Sequence, residues 1–585
     1  IPRVSLSYIA ATFAPLVANT IDPTPTVVTG QVDFTGLDTH SAFINQATQK
    51  AIVDYSYFNI PEGGSVQFNQ PNSNAAILNR ITGADPSLLN GTLTANGHVF
   101  FVNPAGVIFG ANSVIRADVF MAAAGQMSNE DFLNNIQNFS LTGNVENLGS
   151  IQTENEVGLF GQQVVNNGEI VSNNGYAIVA SGDEVHVRQG GTGLIVEVTD
   201  PAKSSRSGTG IKNLGTVDGE EVMFSAGDAF ATAIQQSGNV TARRSAKIYS
   251  DGGRVEVFGS LAARNAAGQG GRIEVGGTDQ GADTAPSSSS TLISETASLD
   301  SSSESGQGGH IVIWSDGHTD FEGSANVSSK AGEGGFIEVS GKTLRYDNFI
   351  TQLKLGAGGH LLLDPTDFTI DAATASAIEA KLDGGTNWTV TTNAPGLDAG
   401  DITVEASIQV PTNNMGNKGT LTLQADRDIK VDDGVVIQNL QEDFAPGQLV
   451  FDFQAGRDIN LSGDVRHSGI VGVTGRGTIR MTAEGNLNLN DVTIDGNGGS
   501  VILFANDITL NGFSFIVTGF SRENTSLIDL TATGALTFAG GIIQTFGGAD
   551  VLINANLFTN NTGVSAISRN DLSESFFGIR LPNPT

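Results

Sequence analysis

Short apolar runs, each closed by glycine, proline or asparagine, recur along most of the chain. Ile77–Ile81, Val99–Val102 and Val107–Phe109 are separated by Asn-Pro, Pro-Asn and Gly units, which is the pattern of strands joined by tight turns. Thr26–Phe34 and Ala51–Ile60 read as further strands, because alternating β-branched and aromatic positions suit a pleated surface better than a helix. From Ala117 to Phe139 the pattern loosens. Met121-Ala-Ala-Ala124 reads there as a helix start, and Ser128-Asn-Glu-Asp131 as a cap or turn. Asp371–Leu382 is the strongest helical segment, with Asp371 as its cap and Gly384-Gly385 as its stop.

Repeats decide the architecture. One series runs Asn147-Leu-Gly-Ser-Ile151, Asn166-Asn-Gly-Glu-Ile170, Asn213-Leu-Gly-Thr-Val217 and Gln236-Ser-Gly-Asn-Val240. A second places Gly-Gly before a strand, at Gly252, Gly270, Gly308, Gly334 and Gly358, in steps of 18, 38, 26 and 24 residues, the 38 reading as two coils. A third runs Ala425-Asp-Arg-Asp-Ile429, Ala455-Gly-Arg-Asp-Ile459 and Ala483-Glu-Gly-Asn-Leu487. A period of roughly 20–25 residues that tolerates insertions belongs to solenoids, while propeller blades need about 40. One such coil cannot bury its inward Ile, Val and Leu, but stacked coils can. The fold class expected is therefore all-β, a right-handed parallel β-helix (solenoid) with loop and short-helix insertions. Apolar side chains point inward, and Glu256, Glu274 and Glu338 point outward into solvent. Gly190–Gly210 and the Ser/Thr-rich Gly277–Asp300 are expected as insertions.

The region from Val66 to Gly110 carries more than strands. It holds Asn69-Gln70-Pro71-Asn72 and Asn103-Pro104-Ala105-Gly106. Pro104 presets φ at one turn position, and Gly106 is free to take a positive φ. Upstream are Gln46-Ala-Thr-Gln49 and Phe58-Asn-Ile60; downstream are Val119-Phe-Met-Ala-Ala-Ala124 and Ser128-Asn-Glu-Asp-Phe132. In order and spacing these segments resemble the haemagglutination-activity, or two-partner-secretion, domain of filamentous-haemagglutinin-like bacterial exoproteins. The family has an Asn-Pro-Asn-Leu-type and an Asn-Pro-Asn-Gly-type turn, and Ala105 replaces the usual Asn of the second. Leu361-Leu-Leu-Asp-Pro-Thr-Asp-Phe-Thr-Ile370 is similar to a segment common in the same exoproteins.

This resemblance implies a protein secreted through the periplasm to the cell surface. Its N-terminal domain would be recognised by the periplasmic domains of a cognate outer-membrane β-barrel transporter, and its rod would attach to cells, matrix or surfaces. The receptor would be a glycan or a protein. Asn69, Gln70, Pro71, Asn72, Asn103, Pro104, Ala105 and Gly106 would form the secretion motif, and substituting Asn69 or Asn103 is expected to block secretion. The organisation expected is a signal-peptide remnant or cap over 1–18, a secretion domain over 19–250, β-helix repeats with a Ser/Gly-rich insertion over 251–370, a helix-containing insertion over 371–400, and further repeats over 401–585, with the chain as a fragment of a longer protein.

Composition narrows the function. The chain has 585 residues, too many for one conventional core. Its net charge of −32 argues against non-specific nucleic-acid binding, which draws on Lys and Arg. Cysteine is absent, which suits export as an unfolded chain through an oxidising compartment. No stretch reaches the roughly 18 apolar residues of a transmembrane helix, Val4–Ala18 coming nearest. The basic run Arg243-Arg-Ser-Ala-Lys247 reads as a solvated corner.

Catalytic chemistry is sparse. His40, His98, His186, His310, His318, His360 and His467 show no metal-ligand spacing. No nucleophile elbow or phosphate-binding loop is present. The acidic patches Asp426/Asp428/Asp432/Asp433 and Asp316/Asp320 keep open a polysaccharide-acting enzyme, which needs two carboxyls with separated pKa values. Gly547-Gly-Ala-Asp550 is an incomplete calcium-repeat unit. No enzyme activity, cofactor or metal is expected. The alternatives are the polysaccharide enzyme and the stem of a contact-dependent toxin or haemolysin.

Overall fold

The computed structural model describes residues 21–190, 193–199, 206–282, 285–345, 352–392, 400–411, 419–439, 449–463, 469–472, 477–496, 498–518, 526–546, 550–561, 567–570 and 577–580. The segment 1–18, His467 and Gly547–Gly548 fall outside them. Two compact units are present, Ile1–Ala233 and Ile234–Thr585.

In the first unit the chain begins antiparallel. Thr26–Thr29 pairs with Lys50–Tyr55, and Val32–Thr35 with Ser41–Gln46. The expected single strand over Thr26–Phe34 is broken at Gly30, whose φ is +86° and where a Cβ would lie 2.5 Å from the Lys50 carbonyl oxygen. From Ser41 onward every turn adds strands to parallel ladders. One ladder stacks Val66, Leu93, Ile115, Ile151, Ile170 and Val217 in register, all inward and buried. A second contains Lys50–Tyr55, Ala76–Ile81, His98–Val102, Val119–Ala123, Val157–Gly161 and Tyr176–Ser181. The third joins Ser87–Leu89, Val107–Phe109, Asn144–Asn147 and Gln163–Asn166. This is a parallel β-helix, and the Asn-x-Gly repeats are its coils.

Met121–Ala124 does not begin a helix. Val119–Ala123 is a strand paired on both sides and buried throughout. Its outer face is covered by α1 (Asn129–Leu133) and by an antiparallel sheet of Gly125–Gln126, Gln137–Leu141, Glu184–Gly190 and Gly193–Thr199. Phe132 packs edge-on against Phe100, and Phe139 stacks on Phe160 at 4.7 Å. A strand buried on both faces loses its alternation, which is why its sequence imitates a helix. Ser128 Oγ caps α1 by accepting from the Asp131 N–H at 3.0 Å. Lys50 Nζ closes its other end on the Phe132 and Leu133 carbonyls, at 3.0 and 2.6 Å. The expected loop over Gly190–Gly210 thus contains a hairpin strand, Gly193–Thr199.

The second unit repeats the plan. Ile273, Ile311, Ile337, Leu361, Trp388, Leu421, Phe451, Ile479, Val501, Ile528 and Val551 form one inward column in register. Each is at most 1% exposed, so the core is continuous through this unit. Arg272 pairs directly with His310, so the 38-residue step is one coil and not two. Its extra length lies in Gly277–Asp300, which also supplies the regular strands Ser290–Ile293 and Ser298–Asp300. Gly252 precedes a strand on another face, paired with Ser290–Ile293, so its 18-residue step is not a coil. Ala425, Ala455 and Ala483 do stack in register. Helix α2 (Ala372–Asp383) is capped by Asp371, which accepts from the Thr374 N–H at 2.8 Å, and it buries Ile378 and Leu382.

Two outward assignments change. Glu274 and Glu338 are buried beneath the segment that follows Gly276, while Glu256 is half-exposed beside Arg254. The basic run 243–247 lies within the long strand Asn239–Ser250 where it passes from one ladder to the next, Arg243 and Arg244 falling between the residues paired with Ser260–Ala263 and those paired with Arg272–Val275. There Lys247 is half-buried, and burial pulls its pKa down.

Candidate functional site

The two Asn/Pro turns lie in the first unit and are built differently. Asn69 ends the strand Ser65–Asn69 at the surface. Its Nδ2 donates to Asn45 Oδ1 on the preceding coil at 2.8 Å, and its Oδ1 accepts from Gln67 Nε2 at 2.8 Å. Pro71 and Asn72 are exposed. Asn72 Nδ2 donates to Gln49 Oε1 at 3.0 Å, and Gln49 Nε2 returns a bond of 3.2 Å to Asn72 Oδ1.

Gln70 turns inward. Its Nε2 donates to Gln46 Oε1 at 3.0 Å and to the Ala75 carbonyl at 2.9 Å, while its backbone exchanges bonds of 2.7 and 2.9 Å with the Asn96 side chain. Gln46, Gln70 and Asn96 are thus linked across three successive coils. Beside them is a groove of about 350 Å³ lined by Gln67, Phe68, Asn69, Gln70, Thr94, Ala95 and Asn96. Sequence reasoning singled out Gln46–Gln49 and Asn69–Asn72 without pairing them, and it missed Asn96. The legible signal was the recurrence of amides one coil apart, at 46, 70 and 96.

The second turn is clamped. Asn103 is fully buried. Its Nδ2 donates to the Asp85 carbonyl at 3.1 Å and to Ser87 Oγ at 3.0 Å, and its Oδ1 accepts from the Ala105 N–H at 2.9 Å. The Gly106 N–H closes the turn on the Asn103 carbonyl at 3.0 Å. On the following coil Thr142 Oγ1 donates to the Pro104 carbonyl at 2.9 Å. Asp85 and Ser87 were not anticipated; nothing local in sequence marks them. Ala105 is half-exposed and takes part through its backbone, so this turn is held without an Asn side chain at position 105.

Gly106 has φ +126°, and a Cβ there would lie 3.1 Å from the Asn144 carbonyl. Gly106→Ala is accordingly expected to destabilise the first unit by about 1–3 kcal/mol, as measured by urea unfolding of the purified chain.

The acidic patches are structural ladders. Arg427 donates to both oxygens of Asp401, at 2.6 and 2.7 Å, and Lys430 adds a third bond at 2.6 Å. The Arg427 guanidinium, reinforced by Lys430, holds the Asp401 carboxyl well below the usual carboxylate range. One coil on, Arg457 grips both oxygens of buried Asp428, at 2.7 Å to Oδ1. Asp432 and Asp433 are exposed. Asp320 is held by Arg345 at 2.6 and 2.8 Å, while Asp316 accepts from Trp314 Nε1 at 3.1 Å. His310 meets Asp279 and His318 meets Thr343, on strands of different faces. Among the described residues no three His, Cys, Asp or Glu side chains are grouped to hold a metal, and no helix is long and apolar enough to cross a membrane.

The family model described as the TPS secretion domain matches residues 19–311, half of the chain. A heme/hemopexin-binding protein of Haemophilus influenzae strain Rd is 29% identical over 211 residues, 34% of this chain and 23% of that protein. A second protein of that name from Haemophilus influenzae is 39% identical over 79 residues, 14% of this chain and 8% of its own. The matches therefore span less than a quarter of either relative. Among solved structures, the HMW1 secretion domain from Haemophilus influenzae is 22% identical with a TM-score of 0.47, covering 59% of this chain and all of that one. The filamentous hemagglutinin secretion domain is 13% identical with a TM-score of 0.30, covering 54% of this chain and 98% of its own.

Proposed function

Because the chain belongs to the two-partner-secretion (TPS) secretion-domain family, we propose that it is an exported adhesin whose N-terminal domain, residues 19–250, is recognised by an outer-membrane β-barrel transporter with periplasmic recognition domains. The secretion motif is Asn69–Asn72 together with Asn103–Gly106. The repeats of 251–370 and 401–585 form the surface that meets a glycan or protein receptor on cells or matrix, with 371–400 as an insertion between them.

The observation that carries this reading is the place of both Asn/Pro turns. They sit within the early parallel coils of the family-matched region and link each coil to its neighbours. Solenoid coils stack on those already formed, so early coils that fold first template the rest as chain emerges outside. The absence of cysteine means that no disulfide forms before passage. The matched families are not enzyme families, and the paired Asp401 and Asp428 favour a structural role over a catalytic one.

Expression with and without a barrel transporter of this class tests the export step. The chain is expected in the medium or at the surface with the transporter, and retained in the periplasm without it. Equal release in both strains would overturn the proposal. Binding of the purified chain to cultured cells, lost on adding excess unlabelled chain, tests the adhesive step.

A further inference from the structure

Glu338 has no place in the export reading, and its surroundings are unusual. It projects from the outer face of the strand Phe336–Ser340, yet it is fully buried. What covers it is the short turn Asp279–Gly281 and its flanks. The Gln280 N–H donates to Glu338 Oε1 at 3.0 Å. Asp279 is pinned by Arg272 and by His310 Nε2, the latter at 2.6 Å. Gly277 and Gly281 lie against the Trp314 ring so closely that a Cβ would be 2.5 Å and 2.2 Å from its atoms. Gln280 has φ +50°, a conformation that persists in a non-glycine residue only when surrounding contacts hold it.

The other carboxyl oxygen, Oε2, has no hydrogen-bond partner, and neither has buried Ser340 Oγ. On the next coil, Asp364 stands opposite Ser340 with Oδ1 also unpartnered. The Ser340 hydroxyl is a single donor among these oxygens and serves only one carboxyl at a time. A proton on Oε2 adds a second donor, which Ser340 Oγ accepts while its own proton turns to Asp364.

We propose that Thr278–Ala282 is a proton-operated latch, closed over the sheet while Glu338 is a neutral acid and released when that carboxyl ionises. Charge supports the geometry. Burial raises the Glu338 pKa to about 7, and the Asp279 and Asp364 carboxylates push the same way, against the Gln280 N–H and the neighbouring Ser340 hydroxyl. Asp364 is itself raised, chiefly by burial and also by Asp426. On the adjoining strands Arg272 is engaged by Glu274 and Asp279, and Glu274 by Tyr249; Lys247 is half-buried near Glu274. None of these cations is hydrogen-bonded to Glu338. His310, whose pKa is lowered mainly by burial, titrates below its ordinary value and so apart from Glu338.

The sign follows from the raised value. Stability contributed by neutral Glu338 is complete below the unfolded carboxyl value and is lost as pH rises through about 7. Trp314 is the reporter, since the other tryptophan, Trp388, is buried in the core. Acrylamide quenching of the full chain is expected to be low in mild acid and to rise with a midpoint near neutrality. Glu338→Gln, which keeps an acceptor for Gln280 and adds a donor toward Ser340, is expected to stay low throughout. His310→Asn is expected to keep the transition. Glu338→Ala is expected to be open at every pH, and unchanged far-ultraviolet circular dichroism confirms that its coils remain. A flat profile in the unsubstituted chain, or a transition that survives in Glu338→Gln, would overturn the latch.

Discussion

Asn103→Ala is expected to lower secretion sharply, while Asn69→Ala, which the motif alone would have block secretion as well, is expected to leave it close to normal. Both asparagines head an Asn/Pro turn, but only one is built into the stack. Asn103 is fully buried and makes three side-chain hydrogen bonds. Truncation leaves buried Ser87 Oγ and the Ala105 N–H without those partners, and it releases the turn from the Asp85–Ser87 segment of the preceding coil. The expected cost is about 3 kcal/mol, in the range for buried polar groups left unsatisfied. Asn69 bonds only to Asn45 and Gln67 at the surface, and such substitutions stay within about 0.5 kcal/mol. Urea unfolding of the purified variants measures the first difference, and extracellular against periplasmic yield measures the second. A secretion defect in Asn69→Ala as severe as in Asn103→Ala would mean that the transporter reads the exposed Asn69 side chain directly.

The second large effect is expected at Asn166. Its Nδ2 donates to Asn213 Oδ1 at 2.7 Å, and its Oδ1 accepts from Asn147 Nδ2 at 2.8 Å and from the Gly168 N–H at 3.2 Å. The three asparagines form a buried ladder at one corner of three consecutive coils. Asn166→Asp turns the donor that faces Asn213 into an acceptor and buries a charge. A cost of about 3–5 kcal/mol is expected, the range for an uncompensated buried charge. The introduced carboxyl is raised in the folded state, so the loss shrinks as pH falls and grows as it rises. Unfolding at mildly acidic and mildly alkaline pH checks both magnitude and sign. Equal destabilisation at both would show that solvent reaches the ladder.

The candidate site was partly legible. Asn103, Pro104 and Gly106 announce a turn by their chemistry alone, and the structure adds why Asn103 differs from Asn69. The roles of Asp85, Ser87 and Asn96 were not legible, because each is a partner only through stacking, 16 to 26 residues away. The Asn147–Asn166–Asn213 repeat was visible as a period. Its hydrogen bonding was not, since sequence spacing does not say which corner side chains face inward.

The features legible in the residues alone are local and periodic. Alternation within a strand, glycine and Asn-Pro at corners, and an Asp cap before Ala372–Asp383 follow from backbone preferences that need no knowledge of distant residues. Recurrence of those units near a solenoid period was enough for a parallel β-helix. The tertiary structure decided whatever depends on a second piece of chain arriving over the first. It made the 38-residue step one coil, because Arg272 pairs with His310 across the inserted residues. It made Val119–Ala123 a strand, because α1 and an antiparallel sheet cover its outer face. It buried Glu274 and Glu338 beneath a turn at Asp279–Gly281. The last two share a physical reason: a strand's pattern records which of its faces are dry, and the segment that dries the outer face lies elsewhere in the chain.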